Sequence, residues 1–278
     1  MNFGYLIIAS KNDSYDYVKM AYLLALTIKL TQKEGYDQIA LVTDDYNVDA
    51  FKSPWVFDRV IKTSLKEGWD SRIDMQDLSP WDATVCLDAD MIFLRDISHN
   101  IKHFLDNHDL YISNRAYTYR GELVTSDFYR KTFTKNGLPN LYSYFTFFKK
   151  NKFISNEFFN LCKEINEYKE EFKNLFLSEH IPKDLGTDEI FALASKILDI
   201  DSEIAYPLCF PRVVHLKPMI QNWQDPGGPV TNSVGFYLNL DAELKIGNYQ
   251  QSDIIHYQEK HLANDETISI MENALWKK

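Results

Sequence analysis

The chain has 278 residues, of which 45% are hydrophobic and 25% charged, a composition typical of a globular protein with a substantial core. Its formal net charge of −10 argues against a general polyanion binder, because phosphate backbones are bound by clustered Lys and Arg. Three widely spaced cysteines, Cys86, Cys162 and Cys209, argue against a disulfide framework or a structural zinc site and favour a reducing cytoplasm. Residues 1–10 lack a signal-peptide pattern, and the longest apolar run, residues 20–28, is too short to insert stably in a bilayer.

Aromatic residues make up 14% of the chain, with 5 Trp, 17 Tyr and 18 Phe. Such side chains fill hydrophobic cores, and their rings also pack on the apolar faces of sugars and bases. Composition alone leaves both uses open.

Short apolar runs alternate with helix-like segments over the first third of the chain. The runs are typical of buried parallel strands, and the segments between them favour helices. Strands are predicted at residues 4–10, 38–43, 57–61 and 83–87, with helices at residues 15–33 and from Trp69 to Leu78. This alternation predicts βαβ units around a parallel sheet.

The second half begins with a strand predicted at residues 141–149, which is rich in Tyr and Phe. Residues 156–177 have the periodicity of one amphipathic helix. Its apolar side is predicted to carry Phe158, Leu161, Cys162, Ile165, Phe172, Leu175 and Phe176.

The C-terminal third contains a helix that Thr187 is predicted to cap. Strands that each end at a histidine are predicted at residues 213–216 and 253–256. Residues 225–229, with Gly227 and Gly228 between prolines, indicate a loop, either a simple turn or a mobile cover over the site.

Asp88 and Asp90 directly follow the predicted strand at residues 83–87. In an open parallel sheet, ligands bind beyond the carboxyl ends of the strands, and two carboxylates one residue apart can reach the same side. Apolar residues flank both acids, where an unpaired charge is costly. Because hard divalent cations take oxygen ligands, the motif predicts a metal site; the alternative is a strand-end turn capped by Asp.

Ordered short motifs run from the first strand to near the C-terminus. They are Ile7-Ile-Ala9-Ser-Lys-Asn12-Asp13 with Tyr15 or Tyr17 behind it, Ser71-Arg72, Leu87-Asp88-Ala-Asp90, Tyr142-Ser143-Tyr-Phe-Thr-Phe-Phe-Lys149, Gly186-Thr-Asp188-Glu189 and Ile254-Ile-His256-Tyr-Gln-Glu-Lys260. In this order they resemble the motifs of type-A fold (GT-A) glycosyltransferases, above all the family of lipopolysaccharide galactosyltransferases and glycogenin.

The resemblance implies an α/β fold with a GT-A-like, Rossmann-type mixed sheet flanked by helices, in a single domain over residues 1–278. Within it, residues 1–110 are expected to form a nucleotide-binding half. Residues 111–278 are expected to form an acceptor-binding half that includes the C-terminal metal-ligand strand.

The implied donor is a nucleotide sugar, for which a UDP-sugar is the expectation. By resemblance, Ala9, Asn12 and Asp13 hold the base and ribose, Arg72 contacts the sugar-phosphate, and Lys260 meets the diphosphate. Negative charge grows on the departing diphosphate, and a nearby cation stabilises it.

The implied metal ligands are Asp88, Asp90 and His256, a donor set that suits Mn²⁺ somewhat better than Mg²⁺. Asp188 and Glu189 are expected to face the donor sugar and the reacting carbon, where a carboxylate binds hydroxyls or shields an oxocarbenium-like centre. Their alternative role is to complement the dipole at a helix N-terminus. Retention of anomeric configuration is implied by the resemblance alone.

His215 competes with His256 for the role of third metal ligand, because it also ends a predicted strand and has Lys217 beyond it. The match of His256-Tyr257 to the family favours His256, and His215 and Lys217 would then face the acceptor or the phosphates.

Two other function classes remain open at this point. One is a metal-dependent phosphohydrolase or nucleotidyltransferase that uses the same carboxylates, and the other is a non-catalytic nucleotide-sugar-binding module. The glycine motifs of P-loop enzymes, dinucleotide oxidoreductases and α/β-hydrolases do not occur. For the acceptor, a saccharide is the expectation, with a small metabolite, a protein side chain or a modified DNA base as alternatives.

Overall fold

The computed structural model describes residues 1–44, 47–65, 70–124, 129–205, 210–217, 220, 235–257 and 260–278. Its strands, in chain order, are β1 (Phe3–Ile8), β2 (Ile39–Thr43), β3 (Arg59–Lys62), β4 (Ala83–Leu87), β5 (Met91–Phe93), β6 (Leu110–Ser113), β7 (Tyr142–Lys149), β8 (Val213–Leu216), β9 (Phe236–Leu238), β10 (Leu244–Ile246), β11 (Tyr249–Gln250) and β12 (Ile254–Tyr257). The helices are α1 (Tyr17–Thr31), α2 (Met75–Leu78), α3 (Ser98–Asn107), α4 (Lys131–Asn136), α5 (Phe153–Glu167), α6 (Lys169–Phe176), α7 (Thr187–Ile197), α8 (Asp201–Ile204) and α9 (Asp265–Lys277). Short 3₁₀ turns lie at Asn47–Ala50, Pro54–Val56, Asp70–Arg72 and Lys260–Leu262.

The main sheet is mixed and has the strand order β3-β2-β1-β4-β7-β6. The strands β3, β2, β1 and β4 run parallel, whereas β7 pairs antiparallel with both β4 and β6. A second sheet has the order β5-β12-β8, and β9 to β11 form a small antiparallel sheet. The expected boundary between the two halves, residue 110, is the first residue of β6. The main sheet therefore contains strands from both halves.

Apolar side chains cover both faces of the main sheet, because successive residues of a strand point to opposite sides. In β1, Tyr5 and Ile7 pack into one buried cluster with α1, and Leu6 packs into the other with α5 and α7. The predicted α/β architecture with helices on both faces of a mixed sheet is present.

Most of the aromatic bulk lies in this core. Among the described residues, the fully buried large side chains are Tyr5, Tyr22, Tyr111, Tyr142, Tyr257, Phe93, Phe104, Phe145, Phe147, Phe148, Phe158 and Phe159. Cys86 and Cys162 are also buried and free, while Cys209 lies outside the described residues.

The single helix predicted at residues 156–177 is wrong, since the chain forms α5 and α6 instead. Tyr168 leaves the helical conformation with φ −113° and ψ 43°, so α5 ends before it and α6 begins at the next residue. Leu175 is consequently 76% exposed rather than on a buried face, and Lys173 is buried instead.

Three smaller predictions also change. Gly186, not Thr187, precedes the first turn of α7 as its cap. The helix predicted from Trp69 to Leu78 is a 3₁₀ turn followed by the short α2, and Trp69 lies outside the described residues. The loop at residues 225–229 also lies outside them. Within the described part of the chain, no helix combines the length and apolarity needed to cross a membrane.

Candidate active site

The chain crosses from the main sheet to the second sheet between β4 and β5, and Asp88 and Asp90 occupy this crossing. The Asp88 amide donates to the carbonyl of Tyr144 on β7 at 3.1 Å, and the Tyr257 amide on β12 donates to the carbonyl of Asp90 at 3.0 Å. The backbone of the motif is thus fixed on both sides by neighbouring strands.

His256 joins these two acids because β12 pairs antiparallel with β5, which places His256 opposite Met91. Its Nε2 lies 3.4 Å from Asp88 Oδ2 and 3.4 Å from Asp90 Oδ1. One ligand atom from each of the three side chains lies within 4.8 Å of the others. Two carboxylates and an imidazole at this spacing form a donor set that fits a divalent cation.

His215 lies beside His256 but belongs to a different environment. Since β8 pairs parallel with β12, the two histidines are opposite each other, with ring centroids 4.6 Å apart. The His215 ring stacks on Tyr144 at 5.6 Å, and burial, assisted by His256, lowers its pKa well below the usual value. The two carboxylates lie against His256, and His215 is the ring neighbour of that histidine.

Two cations hold the acids of the motif. Arg72 pairs with Asp88, and Lys260 pairs with Asp90. Arg72 also donates from Nη2 to the carbonyl of Ser143 at 2.7 Å, which ties the motif to β7. These contacts compensate for burying the two acids.

The two acids differ in their electrostatic surroundings. Burial raises the pKa of Asp88, although Arg72 and His256 act against it. Burial acts in the same direction on Asp90, but there His256 and Lys260 hold the pKa well below its usual range. Asp90 is accordingly the more firmly ionised of the two.

A cavity of about 500 Å³ opens beyond the carboxyl ends of β1, β2 and β4. Its walls include Ala9, Ser10, Lys11, Asn12, Tyr17, Asp44, Leu65, Ser71, Arg72, Asp88 and Asp90. The Asn12 side chain shapes the loop, since its Oδ1 accepts hydrogen bonds from the amides of Ser14 and Tyr15. Asp13 is exposed and does not line this cavity, so its contact with a donor stays a prediction.

A second cavity of about 360 Å³ adjoins the first, and both are lined by Tyr17, Arg72, Asp88 and Asp90. The remaining wall of the second cavity is formed by Tyr142, Ser143, Tyr144, Gly186, Thr187, Asp188, Glu189, His215, Lys217, His256 and Lys260. The candidate metal ligands thus stand where the two cavities meet.

Asp188 and Glu189 enter the second cavity from the first turn of α7. Glu189 turns back on its own helix, because its Oε2 accepts a hydrogen bond from the Gly186 amide at 3.1 Å. Burial raises its pKa. Of Asp188 and Glu189, it is therefore Glu189 that has the alternative role of stabilising the N-terminus of the helix. Its side chain also lines the second cavity.

Asp188 has partners from two other elements. Its Oδ1 accepts hydrogen bonds from the Ser143 amide at 2.8 Å and the Ser143 hydroxyl at 2.7 Å, and Arg130 donates to its Oδ2 at 2.8 Å. Burial alone would raise the pKa of this carboxyl, but Arg130 and Ser143 lower it to about 2. Asp188 is therefore an anion on the cavity wall at neutral pH.

Sequence reasoning missed Arg130 and the role of Ser143. Ser143 lies within the Tyr-rich motif, but the motif does not reveal that its amide and hydroxyl would both bind Asp188. Arg130 lies in no motif and is 58 residues from its partner. The sequence contains no signal that would have singled it out.

The sequence matches no protein-family model, and comparison with curated proteins gives no match. Solved structures do match. The glycosyltransferase GlyE of Streptococcus pneumoniae TIGR4 is 13% identical with a TM-score of 0.45; the match covers 73% of this chain, which spans only 44% of the GlyE chain. Mouse xyloside xylosyltransferase 1, in its apo form, is 14% identical with a TM-score of 0.55, and the match covers 93% of this chain and 98% of that one. The likeness to the mouse protein shows that this chain has a glycosyltransferase fold, which confirms the GT-A-like architecture predicted from the motifs.

Proposed function

We propose that the chain is a metal-dependent glycosyltransferase that moves a sugar from a nucleotide sugar, specifically a UDP-sugar, to an acceptor with retention. The observation that carries this proposal is the junction of the two cavities, where Asp88, Asp90 and His256 converge within a glycosyltransferase fold. One cavity is suited to the nucleotide and the other to the sugar and acceptor. Residues 1–110 would form the nucleotide-sugar-binding half, and residues 111–278 the acceptor-binding half together with the C-terminal metal-ligand strand.

Asp88, Asp90 and His256 would hold Mn²⁺ or Mg²⁺. The ion would supply positive charge to the departing diphosphate. His256 is favoured over His215, because its Nε2 lies 3.4 Å from an oxygen of each of the two carboxylates.

The donor would lie across both cavities. Ala9, Asn12 and Asp13 would contact the nucleoside end, as the resemblance implies. Arg72 and Lys260, which pair with Asp88 and Asp90, border the junction and would turn to the phosphates when a donor binds. Cations at this place stabilise the negative charge that grows as the glycosidic bond breaks.

Asp188 and Glu189 would face the donor sugar. The Asp188 carboxylate is anionic and lies on the cavity wall, so it would bind sugar hydroxyls or shield positive charge at the reacting carbon. A saccharide acceptor would enter the second cavity beside Lys217, whose cation borders that cavity together with Asp188.

A thermal-shift screen of nucleotide sugars, with and without Mn²⁺, tests the donor and metal assignments. A ligand present at about 100 times its Kd stabilises the folded state by roughly 2.7 kcal/mol. We expect a UDP-sugar to raise the Tm only with the metal present, and the double variant D88N/D90N to lose this shift. No shift with any nucleotide sugar, or one independent of the metal, would contradict the proposal.

A further inference from the structure

Arg130 lies just before α4 and is 7% exposed. Its guanidinium is held between two rings, with its carbon 3.7 Å from the centroid of Phe133 and 4.2 Å from that of Tyr142. Nη2 donates to the carbonyl of Leu141 at 2.5 Å, and Nη1 donates to Asp188 Oδ2 at 2.8 Å. Contacts with two aromatic rings and hydrogen bonds from two nitrogens together restrain the orientation of this side chain.

Asp188 is held from two sides as a result. Arg130 binds one carboxylate oxygen, and the Ser143 amide and hydroxyl bind the other. The side chain nevertheless keeps 31% of its surface exposed and lines the second cavity. These contacts fix the Asp188 carboxylate and still leave part of it accessible from the cavity.

The same contacts continue to the metal motif. The carbonyl of Ser143 accepts a hydrogen bond from Arg72, and Arg72 pairs with Asp88. An unbroken series of polar contacts therefore links Arg130 to the candidate metal ligand, passing through Asp188 and Ser143.

We propose that Arg130 is a positioning residue, which holds the Asp188 carboxylate in a fixed orientation toward the donor sugar. Arg130 itself does not line the second cavity, so its effect on a bound sugar passes through its ion-pair partner Asp188, which does line it. The inference rests on the proposed function, because the contact of Asp188 with a sugar is part of that function.

The charged and titratable groups around Asp188 come from several elements. They are Arg130, Lys217 and Arg72 as cations, Asp88 and Glu189 as acids, and the Tyr144 phenol. Among the described residues, Arg130 is the cation in direct ion-pair contact with it. Without Arg130, the pKa of Asp188 should rise, because burial raises it and the largest opposing contribution is gone.

Arginine is specifically required by this arrangement. Its planar fork donates to Asp188 and to the Leu141 carbonyl at once while the guanidinium contacts the rings of Phe133 and Tyr142. Lysine keeps the positive charge but has no planar group to match this geometry. We therefore expect Arg130→Lys to restore the function only in part.

The test compares R130M and R130K with R120M. Arg120 also packs on a ring, that of Tyr119 at 5.3 Å, but it is exposed and lines neither cavity of the site. Mis-positioning of a catalytic group costs about 100-fold in rate, so R130M should lower kcat by about that factor. The KM for the donor should change less than about threefold, because the diphosphate contacts remain. R130K should fall between R130M and the wild type, and R120M should match the wild type.

A second readout is the titration of the Asp188 carboxyl, followed by ¹³C NMR. Loss of a contacting cation should move its midpoint upward by about 1–3 pH units in R130M. A purely structural role for Arg130 would lower the Tm without the selective loss of kcat.

The proposal is overturned by a folded R130M with wild-type kcat or an unchanged Asp188 midpoint. Should R130M not fold, R130K decides, and wild-type kcat in that variant overturns the proposal. A wild-type protein that turns over no nucleotide sugar contradicts the proposed function instead. In that case the NMR titration still decides whether Arg130 controls Asp188.

Discussion

Two pairs of acidic residues line the same cavity, and the protein holds them in opposite ways. Asp88 and Asp90 leave the end of β4 and converge on His256, with Arg72 and Lys260 as counter-ions. The acids at the start of α7 diverge instead. One is tied to a neighbouring strand and to a buried arginine, and the other is tied to the backbone of its own helix.

Acidic residues can bind a metal ion or contact a sugar, and the sequence alone does not tell these two roles apart. The arrangement of the carboxylates does. Converging carboxylates beside an imidazole have lone pairs directed at one point, where a cation fits. Diverging carboxylates fixed by their own neighbours cannot share an ion. They offer separate acceptors and negative charge to a bound sugar, so the two pairs are expected to fail differently when neutralised.

Removing the converging pair should have the largest effect. The double variant D88N/D90N keeps the size and shape of the side chains but loses both charges and replaces one acceptor oxygen of each with a donor. We expect turnover of the nucleotide sugar to fall at least about 10³-fold, since the charge that stabilises the leaving group is lost. Nucleotide release measures this, with circular dichroism as the check on folding; near-normal turnover would refute the metal site.

Neutralising Asp188 or Glu189 should lower kcat less than the double variant does, and by different amounts for the two residues. Asp188→Asn removes an anion from the cavity wall and should lower kcat by about 100-fold, whereas Glu189→Gln keeps the cap on Gly186 and should lower it by about tenfold. Steady-state kinetics of the two variants provides the comparison. Equal losses, or a larger loss for Glu189→Gln, would mean that the two acids are not distinguished in this way.

Variants of the two neighbouring histidines test which of them is the third metal ligand. Isothermal titration of Mn²⁺ into His256→Ala should show affinity weakened by about 10–100-fold, because a ligand is lost. His215→Ala leaves the three candidate ligands in place and should bind Mn²⁺ within a few-fold of the wild type. Weakening confined to His215→Ala would show that the wrong histidine was assigned.

The smallest effect is a difference in how stability depends on pH. The pKa of Asp188, about 2, lies below its ordinary 3.8, so its ion pair adds stability above about pH 4 that is lost as the pH falls toward 2. Asp188→Asn should therefore be less stable than the wild type at pH 7, by about 1–2 kcal/mol, with the gap closing in acid.

Glu189 should behave in the opposite direction. Burial raises its pKa, so the folded state holds its proton longer than the unfolded state, and stability is lost as the pH rises through the raised value. Glu189→Gln should then gain stability relative to the wild type with rising pH. Urea unfolding of the wild type and both variants from about pH 2 to about pH 7 measures the two trends, and parallel trends would contradict the assigned environments.

Much of the fold was predictable because its central strands are continuous apolar runs. The strand predicted at residues 83–87 matches β4 at both ends, and those predicted at residues 38–43 and 213–216 agree with β2 and β8 to within one residue. Buried parallel strands allow few alternatives to such runs. For the same reason the position of Asp88 and Asp90 at the end of β4 could be foreseen.

Other features depended on tertiary contacts that leave no local pattern. The break at Tyr168 lies within an unbroken helical periodicity, so nothing in the spacing marks it. The choice between His215 and His256 depends on which strand pairs with β5, since both histidines end strands of similar composition. Arg130 and Asp188 are 58 residues apart and meet only in the folded chain, so no local sequence pattern could predict their contact.

The most direct test of the central claim is to incubate the protein with UDP-sugars, Mn²⁺ and saccharide acceptors and to identify the products by mass spectrometry. We predict that UDP forms together with a sugar-linked acceptor, and that both disappear when Mn²⁺ is chelated or D88N/D90N replaces the wild type. Products cleaved within the diphosphate would indicate a phosphohydrolase or nucleotidyltransferase. Binding of UDP and Mn²⁺ without release of UDP from any donor would indicate a non-catalytic module, and either result would contradict glycosyl transfer.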